Sequence, residues 1–462
     1  MNQQRFHNPA ENTVLLLVGD LLTEGNFAEA AQAVVGMHAS ELAFILQLLE
    51  DEDFLKLMHH LPVETQADVI PELSDYRQQL IAEELAHHQI SPILDQMDSD
   101  DAADFVGLLD TEEQNAVLKQ VESQNAHELK ELLLHEKDSA GGLMSKEFIA
   151  VSHNSSVEEA IGAIRKAVTE TEQIYTVFVI EEKTGKLLGS LPLGTLILAK
   201  PQTVVNQIMV QTPSVPVYLD QEQVAHKARK YDIPEIPVVD SNFRLVGRIT
   251  HDDILDVVEE EAVEDFAKLS GTGDEDISTP SAWQASKYRI PWQIIGLLGG
   301  ALSAFIMSRY ESTLGKLLAI AFFTPVIAAM GGITGIQASS VTIRGLALGS
   351  IGPKDIWKRL RREFAITSIN GAICSLLLGV LVAFWKHNFT IGTIVGISLY
   401  TVMLASTFSG TVIPLVLSRL KADPAIASGP FVSTLNDLIG LTVYFSLATL
   451  AIQTFSQAFG IK

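Results

Sequence analysis

Residues 431–455 read FVSTLNDLIGLTVYFSLATLAIQTF, an apolar run in which Asp437 is the only charged residue. The run exceeds the ~20 residues that a helix needs to cross a bilayer. A carboxylate at membrane depth is costly, and residues of this kind usually face a wet cavity that conducts an ion or a proton. An Asp that only bonds a neighbouring helix is the less favoured interpretation. The sequence therefore predicts a membrane-spanning helix with Asp437 beside an ion path.

Four further apolar stretches precede this one, and each is long enough to span a membrane. The five predicted spans lie at about 290–308, 317–343, 364–385, 391–417 and 425–456. Lys and Arg concentrate before the first span, between the second and third, and between the fourth and fifth, as at Lys354 and Lys421. By the positive-inside rule, the residues ahead of the first span lie in the cytoplasm and the C-terminus lies outside.

Charge divides the chain into two parts. Residues 287–462 hold 14 Lys and Arg against 5 Asp and Glu, whereas residues 1–286 hold 18 against 51. An acidic excess of this size repels nucleic acid, whose phosphates need basic partners, and it attracts cations. The single cysteine, Cys374, excludes an internal disulfide. The first eleven residues lack the apolar core of a cleaved signal peptide.

An apolar residue returns every twelve positions in the acidic part. The repeated positions are Met37, Leu49, Leu61, Leu73, Leu85, Met97, Leu109, Val121 and Leu133. Between them, Pro, Asp, Ser or Thr followed by acidic residues is typical of capped short helices. A stack of such helices forms a small superhelical array, which usually offers a surface to a partner.

Residues 141–260 contain a different, twofold repeat. KLLG at 186–189 recurs as RLVG at 244–247, and each copy has the pattern of helix, strand, turn, strand and closing helix. The two copies resemble a tandem pair of CBS modules. That resemblance implies a nucleotide contact at Thr250 and Asp253 of the second copy, whereas the first copy lacks the acidic residue.

Two of the predicted spans contain residues that loosen a helix. The second holds Pro325 and then GGITGIQ at 331–337, and the fifth opens with the DPA and GP motifs of 423–430. Irregular backbone at membrane depth persists only inside protein or beside a cavity. We therefore expect both spans to be broken and to line a pore, with Gly331 and Gly332 in its wall. Glycines that let helices pack closely are the alternative.

The polar residues around Asp437 offer only oxygen and amide ligands. They are Ser433, Thr434 and Asn436, with no Cys or His among them. A helix continuing from Asp423 would place Asp437 ~20 Å in from its cytoplasmic end. Oxygen ligands suit a hard cation, and Mg²⁺ keeps most of its water while one or two carboxylates hold it. These four residues are candidate pore ligands for Mg²⁺, and two chains would supply two carboxylates.

A second acidic constellation at 252–265 contains eight carboxylates and no Lys or Arg. Its candidate metal-binding members are Asp252, Asp253, Asp256, Glu259, Glu260, Glu264 and Asp265. Like charges at helical spacing destabilise a helix, and a divalent cation would relieve the repulsion. A solvated helix face is the alternative, although such faces usually mix both signs. A third cluster contains Asp100, Asp101 and Asp104. It becomes a stronger candidate metal site if it faces the second cluster.

No enzyme motif is present. The sequence contains no Gly-rich phosphate loop, Ser nucleophile elbow or kinase signature, so we do not expect an enzyme. Two other classes stay open beside a Mg²⁺ channel. One is a proton-coupled transporter of another divalent metal, such as Co²⁺ or Mn²⁺, with Asp437 as a proton relay. The other is a non-transporting membrane sensor.

Together these residues resemble the MgtE family of bacterial magnesium channels and transporters. The specific matches are the 423–437 segment, from DPA through GP to TLND, and GG with Gly335 and Gln337 in the second span. The predicted fold class is a multidomain membrane protein with an all-α superhelical N domain, an α+β tandem CBS domain and an α-helical transmembrane domain of five spans. The predicted domains are 1–140 (N domain), 141–255 (CBS pair), 256–286 (connecting or plug helix and linker) and 287–462 (pore).

The resemblance also implies how such a protein works. It implies a homodimer in the bacterial cytoplasmic (inner) membrane that takes up Mg²⁺, with Asp437 beside a hydrated ion in the pore. It further implies that the plug helix closes the pore when cytosolic Mg²⁺ bridges the acidic N, CBS and plug surfaces. ATP at the CBS pair is a weaker implication. One position departs from the family pattern, because Ile333 stands where Asn is common.

Overall fold

The structure, a computed structural model, describes residues 9–167, 174–272, 282–347, 356–420, 423–424 and 429–454. The chain divides into two compact units, Met1–Glu261 and Ala262–Lys462. Residues 273–281 of the predicted plug helix and linker (256–286) lie outside the described residues. So do the basic residues Lys354 and Lys421, and Ala425 of the DPA motif.

Ten α-helices form the beginning of the first unit. They are α1 (Pro9–Thr23), α2 (Phe27–Val34), α3 (Ala39–Gln47), α4 (Asp51–His60), α5 (Val63–Val69), α6 (Asp75–Glu84), α7 (His87–Leu94), α8 (Ser99–Gly107), α9 (Thr111–Val117) and α10 (Ser123–Leu132). From α2 onward each helix starts twelve residues after the previous one. The predicted twelve-residue repeat of short helices is therefore confirmed.

The repeated apolar position holds this array together, whereas among the described helices α2–α10 only α3 and α9 have the side-chain N-cap that the sequence predicted. The Asp110 carboxylate accepts hydrogen bonds from the Glu112 and Glu113 amides, both at 2.9 Å. These bonds satisfy amides that the start of a helix leaves without a partner. The repeat residues Leu61 and Leu109 are buried in the common core. Each short helix is thus stabilised by its neighbours, since a helix of this length is marginal alone.

Two similar α+β modules follow. The first contains β1 (Ala150–Ser152), α11 (Val157–Ala167), β2 (Thr176–Ile180), β3 (Leu187–Pro192) and α12 (Leu193–Leu198), and the second contains β4 (Val215–Pro216), α13 (Gln221–Tyr231), β5 (Ile236–Val239), β6 (Leu245–Ile249) and the start of α14 (His251–Ser270). Each module has a three-stranded sheet whose first two strands are parallel and whose last two are antiparallel. The predicted twofold repeat is confirmed.

The two modules join along their hairpins, and the Tyr175 amide of the first donates to Glu235 of a buried ion pair within the second. The Leu187 amide donates to the Phe243 carbonyl, and the Leu245 amide donates to the Gly185 carbonyl. Arg248 Nη1 lies 2.6 Å from the Oε1 atom of the fully buried Glu235 side chain. The second module shares one hydrophobic core with the helical array, whereas the first has its own.

The second unit contains the end of α14 and five long apolar helices. The elements after α14 are α15 (Ala282–Arg309), α16 (Glu311–Lys316), a 3₁₀ segment (Leu318–Phe323), α17 (Thr324–Ala347), α18 (Ile356–Trp385), α19 (Phe389–Arg419) and α20 (Gly429–Thr454). By length and composition, α15, α17 with its 3₁₀ segment, α18, α19 and α20 can each cross a membrane. The five predicted spans are confirmed.

The prediction that the second span is broken is confirmed at Pro325, where the 3₁₀ segment gives way to α17, and is wrong at its glycines. In the fifth span, residues 425–428 lie outside the described residues, and the helix is continuous from Gly429. Helix α17 continues through its glycines, and Pro325 lies in its first turn, where a proline removes no helical hydrogen bond. Helix α20 starts at Gly429, so Pro430 also lies in a first turn. Asp437 is consequently eight residues, ~12 Å, into its helix rather than the ~20 Å obtained by counting from Asp423.

Candidate metal sites

Acidic residues of α8 and of the start of α14 lie close together in the first unit. Asp100 and Asp101 are half-buried in the first turn of α8, and Asp253 is half-buried in the first turn of α14. Ser99 Oγ donates to Glu147 Oε2 at 2.8 Å, which brings a further carboxylate to the start of α8. The start of the predicted 252–265 cluster therefore lies near the predicted cluster of α8.

The proximity of these carboxylates changes their pKa values. Burial raises the pKa of Asp100 well above its usual range, and the charges of Asp253, Asp101 and Glu147 add to the rise. Burial and the charge of Asp253 do the same to the pKa of Asp101. Burial raises the pKa of Asp253 to about 6, although its hydrogen bonds with Thr250 act in the opposite direction. The ionised cluster is thus under electrostatic strain that a bound cation would relieve.

A second acidic group lies one turn further along α14. Burial, and then the charge of Glu72, raise the pKa of Asp256. Burial also raises the pKa of Glu260, where Asp75 and Asp104 add to the rise and Lys137 opposes it. Burial also raises the pKa of Asp104, on α8, and the charge of Lys137 opposes the rise.

Three members of these groups were missed by the sequence analysis. They are Glu72, Asp75 and Glu147. Asp75 begins a helix of the twelve-residue array just as Ser99 does, so the register of the repeat was the available signal. Among the described residues, no three Asp, Glu, His or Cys side chains are close enough to hold one ion directly. The arrangement instead suits an ion that keeps part of its water.

Thr250 and Asp253, the candidate nucleotide residues, bond each other. Asp253 Oδ2 accepts hydrogen bonds from Thr250 N at 2.9 Å and from Thr250 Oγ1 at 2.5 Å. The pair caps the start of α14. The same aspartate therefore orders the helix and contributes charge to the acidic cluster.

The last acids of the 252–265 run lie in the second unit, in a different environment. Lys268 pairs with Glu264, and its Nζ lies 2.8 Å from Asp423 Oδ2. Burial alone would lower the pKa of Lys268, but its hydrogen bonds to Asp423 and Glu264 outweigh this and raise it. Burial, and then the charge of Asp423, raise the pKa of Asp265. Glu264 and Asp265 thus belong to a mixed-charge contact at the end of α14.

Glycines of α17 bring three spans into close contact. A Cβ on Gly335 would lie 1.7 Å from Asn436 Nδ2 of α20, and one on Gly331 would lie 3.1 Å from Val402 of α19. Asn436 is fully buried, and its Oδ1 accepts a hydrogen bond from Ser409 Oγ at 2.6 Å. The structure therefore places Gly331 and Asn436 inside a helix contact, as the close-packing alternative predicted for the glycines.

The other candidate pore residues lie on a less enclosed side of α20. Ser433 is half-buried beside Gly332, where a Cβ would stay 3.4 Å from its Oγ. Thr434 Oγ1 donates to the Pro430 carbonyl at 2.8 Å, and its methyl group packs on Gly299 of α15. Asp437 is half-buried, one helical turn after Ser433, and no described residue donates a hydrogen bond or pairs with its carboxylate.

Ile333, which departs from the family pattern, does not face α20. It lines a cavity of about 520 Å³ between α17, α18 and α19 together with Gln337 and Met403. Its side chain is 49% exposed. The residue is therefore remote from the Gly335–Asn436 contact and lies on another face of α17.

Family models match three parts of the chain. A model described as "Divalent cation transporter" matches residues 324–447, and one described as "MgtE intracellular N domain" matches residues 37–138. A CBS domain model matches residues 140–201 and 205–260. The three models therefore match most of the helical array, the α+β pair and the last four spans, in the order in which the structure contains them.

Curated proteins and solved structures agree with these matches. The magnesium transporter MgtE of Bacillus subtilis is 33% identical over 443 residues, which is 96% of this chain and 98% of its own length. The magnesium transporter MgtE of Thermus thermophilus is 33% identical over 453 residues, 96% of this chain and 99% of its own length. The crystal structure of the cytosolic domain of the Mg²⁺ channel MgtE in complex with ATP is 32% identical, with a TM-score of 0.50, over 53% of this chain and 99% of its own. The soluble part of a magnesium transporter gives the same TM-score at 29% identity, over 55% of this chain and 99% of its own.

Proposed function

This chain belongs to the MgtE family of divalent cation transporters, and from that premise we propose that it conducts Mg²⁺ into bacterial cells and closes when cytosolic Mg²⁺ is abundant. The carboxylate of Asp437 carries the transport part of the proposal, because it lies in a span without a described partner. The facing carboxylates of α8 and α14 carry the gating part.

The domain boundaries and topology belong to the same proposal. We assign 1–140 to the N domain, 141–255 to the CBS pair, 256–286 to the plug helix and linker, and 287–462 to the pore. The basic clusters at the loops support a cytoplasmic N-terminal part and a C-terminus outside the bacterial cytoplasmic membrane.

The environment of Asp437 supports its role in the pore. An ionised carboxylate within a span is expensive unless a cation or water accompanies it. Asp437 and Ser433 lie one turn apart on α20, and both are half-buried. Their oxygens suit a hydrated Mg²⁺, which exchanges its inner water reluctantly and needs only one or two carboxylates. The buried Asn436 and the glycines Gly331 and Gly332 then act by holding α17 close to α20.

A homodimer would complete this site. One chain supplies a single carboxylate at this depth, and a twofold axis beside α20 would supply a second. Two carboxylates match the charge of one Mg²⁺ ion. A dimer would also enclose the half-buried face of α20, which a single chain leaves open.

The gate rests on the repulsion among the cytosolic carboxylates. Two unit charges ~4 Å apart repel by ~1 kcal/mol in water and by ~4 kcal/mol at a partly desolvated protein surface. Moving a gate from mostly open to mostly closed takes ~5.5 kcal/mol. A few partly buried pairs, such as Asp100 with Asp253, therefore suffice. Bound Mg²⁺ would remove the repulsion and hold α14 against α8.

The end of α14 offers a route from this gate to the pore helix. Lys268 in its last turn contacts Asp423, and the Gly271 backbone lies against the Pro430 ring at the start of α20. Helix α14 is continuous from His251 to Ser270. A shift at its acidic start would therefore reach the residues that precede Asp437.

ATP binding at the CBS pair is a subordinate part of the proposal. Its support is a relative's cytosolic domain solved in complex with ATP. In this chain the Thr250–Asp253 pair that would meet the nucleotide already caps α14. Binding of labelled ATP by the wild type but not by Thr250→Ala would support it, and equal binding by both would count against these residues.

Mg²⁺ influx into proteoliposomes tests the transport proposal. Asp437→Asn removes the charge with almost no change in volume, so we expect influx to fall to that of protein-free liposomes. Asp437→Glu should keep part of the influx, and Thr442→Val, at an exposed position of the same helix, should keep all of it. Wild-type influx in Asp437→Asn would overturn the assignment.

The same assay separates the rival classes. A channel should conduct Mg²⁺ equally with and without a proton gradient, whereas a proton-coupled transporter of Co²⁺ or Mn²⁺ should require the gradient. A non-transporting sensor should give no influx in any variant.

A further inference from the structure

The cavity between α17, α18 and α19 is not used by the transport proposal. It has a volume of about 520 Å³, and its lining along α18 runs from Arg359 and Arg362 to Cys374. These sixteen residues correspond to ~22 Å of helix. The charged end of the cavity therefore lies near the start of α18, and the remainder extends along the membrane-spanning part.

Arg359 leaves a donor available in this cavity. Its side chain is only 8% exposed, and Nη2 lies 2.6 Å from Glu363 Oε1. Its Nε atom is buried and has no hydrogen-bond partner among the described residues. Buried donors of native proteins nearly always have a partner, so an absent acceptor is expected here.

The start of α18 is also unusually positive. Its first eight residues include Lys358, Arg359, Arg361 and Arg362, with Glu363 as the only acid. The helix dipole is positive at this end, and cations there are unfavourable while anions are favourable. Glu363 offsets the charge of Arg359, which leaves Arg362 as the cation of the cavity lining.

We propose that this cavity binds the phosphate of an anionic phospholipid. Guanidinium groups suit phosphate geometry, and basic pockets between spans on the cytoplasmic side bind anionic head groups. Arg362 and Arg359 Nε would contact the phosphate. The apolar side chains Ile333 and Ile366 line the same cavity yet are 49% and 43% exposed, and they suit an acyl chain. The choice of the cytoplasmic leaflet rests on the proposed topology.

Lipid retention measured by native mass spectrometry tests this site in the full-length protein. The protein is purified with equal amounts of phosphatidylglycerol and phosphatidylcholine that carry the same chains. We expect phosphatidylglycerol to be retained selectively, and Arg362→Gln to reduce its retention about tenfold through loss of a charge-assisted bond. Arg361→Gln is the matched control, because it removes the same charge from an exposed neighbour that does not line the cavity.

Three results would overturn the proposal. Equal losses in the two variants would indicate diffuse surface charge, and equal retention of phosphatidylcholine would exclude head-group recognition. Displacement of the lipid by inorganic phosphate would indicate a site for a soluble anion. The double variant Arg359→Gln with Glu363→Gln removes the buried pair as a unit, and unchanged retention there would exclude Arg359. This readout does not depend on Mg²⁺ transport.

Discussion

Acidic side chains lie together in the first unit, whereas Asp437 lies among apolar spans of the second with no partner in the described part of the chain. Beyond the effect of burial, the charge of Asp253 raises the pKa of Asp100 and of Asp101, and the charges of Asp252 and Asp256 raise the pKa of Asp253, so each depends on its neighbours. The helices around Asp437 are instead fixed by glycine contacts such as that of Gly335. The acidic region responds through the summed repulsion of several carboxylates. The membrane-spanning region depends on the position of a single carboxylate, that of Asp437.

This difference explains how one ion could serve as both cargo and signal. A cluster of repelling carboxylates binds more cations as their concentration rises, and loss of one member weakens the response without abolishing it. A solitary carboxylate in a span has no substitute. Variants in the first unit should therefore shift the Mg²⁺ concentration that closes the protein, and variants at Asp437 should abolish conduction.

The largest gating effect should come from neutralising the facing acids. We expect Asp100→Asn, Asp101→Asn and Asp253→Asn together to raise the Mg²⁺ concentration for half-maximal inhibition of uptake by about tenfold or more, a usual size for coupling between sites. A control with Glu41→Gln, Glu64→Gln and Glu112→Gln makes the same charge change at exposed positions of the same unit. Equal shifts in both triple variants would mean that only net charge matters.

Two glycine substitutions in α17 test its close contact with α20. Gly335→Ala would force a methyl group to 1.7 Å from Asn436 Nδ2, whereas Gly332→Ala would stay 3.4 Å from Ser433 Oγ. Overpacking of this kind costs about 1–3 kcal/mol or more. Thermal unfolding in detergent should therefore show a clear loss of stability for Gly335→Ala and little for Gly332→Ala. Equal stability of the two would contradict the close contact of α17 with α20.

The raised carboxylate pKa values predict a pH dependence. Folding raises the pKa of Asp253 from its ordinary value near 4 to about 6, so ionising the folded cluster is unfavourable. Without Mg²⁺, the stability of the first unit should consequently fall as pH rises from about 4 through 6. Because Mg²⁺ binds the ionised form, its protection should be full at pH 8 and lost below about pH 6.

Protease protection of the full-length protein, with and without Mg²⁺ at several pH values, measures this dependence. Asp253→Asn provides the comparison, since it should weaken both the loss of stability with rising pH and the protection by Mg²⁺. Protection that is equally strong at pH 5 and pH 8 would argue against binding by these carboxylates.

A smaller effect is expected at the end of α14. Lys268→Gln removes the contact with Asp423 and should raise the Mg²⁺ concentration for half-maximal closure about twofold to threefold, as expected for a partly exposed ion pair. Lys287→Gln, on the exposed surface of α15, is the charge-matched control. A larger shift in the control would exclude the Lys268 contact as a link to the pore helix.

Elements that repeat locally could be predicted from the sequence. The twelve-residue period predicted the short helices, because each repeat position packs into the same core. The paired KLLG and RLVG segments predicted two similar modules, because a repeated strand–turn–strand pattern forms the same antiparallel pair in each copy. The apolar stretches predicted the spans, since bilayer thickness requires that length.

Features that depend on distant contacts could not be predicted in this way. Glu72, Asp75 and Glu147 join the acidic groups only because folding brings other elements to α14. Glu264 appeared to belong to the acidic run, but its partner is Lys268. The glycines of the second span indicated an interior break, yet α17 continues through them, and they contact α19 and α20 instead.

Mg²⁺ influx measured against internal Mg²⁺ tests the central claim most directly. The assay compares the wild type, Asp437→Asn and the Asp100, Asp101 and Asp253 triple variant in the same liposomes. We predict that the wild type closes at high internal Mg²⁺, that the triple variant stays open there, and that Asp437→Asn is silent at every concentration. Influx through Asp437→Asn, or closure of the triple variant at the wild-type concentration, would contradict the account.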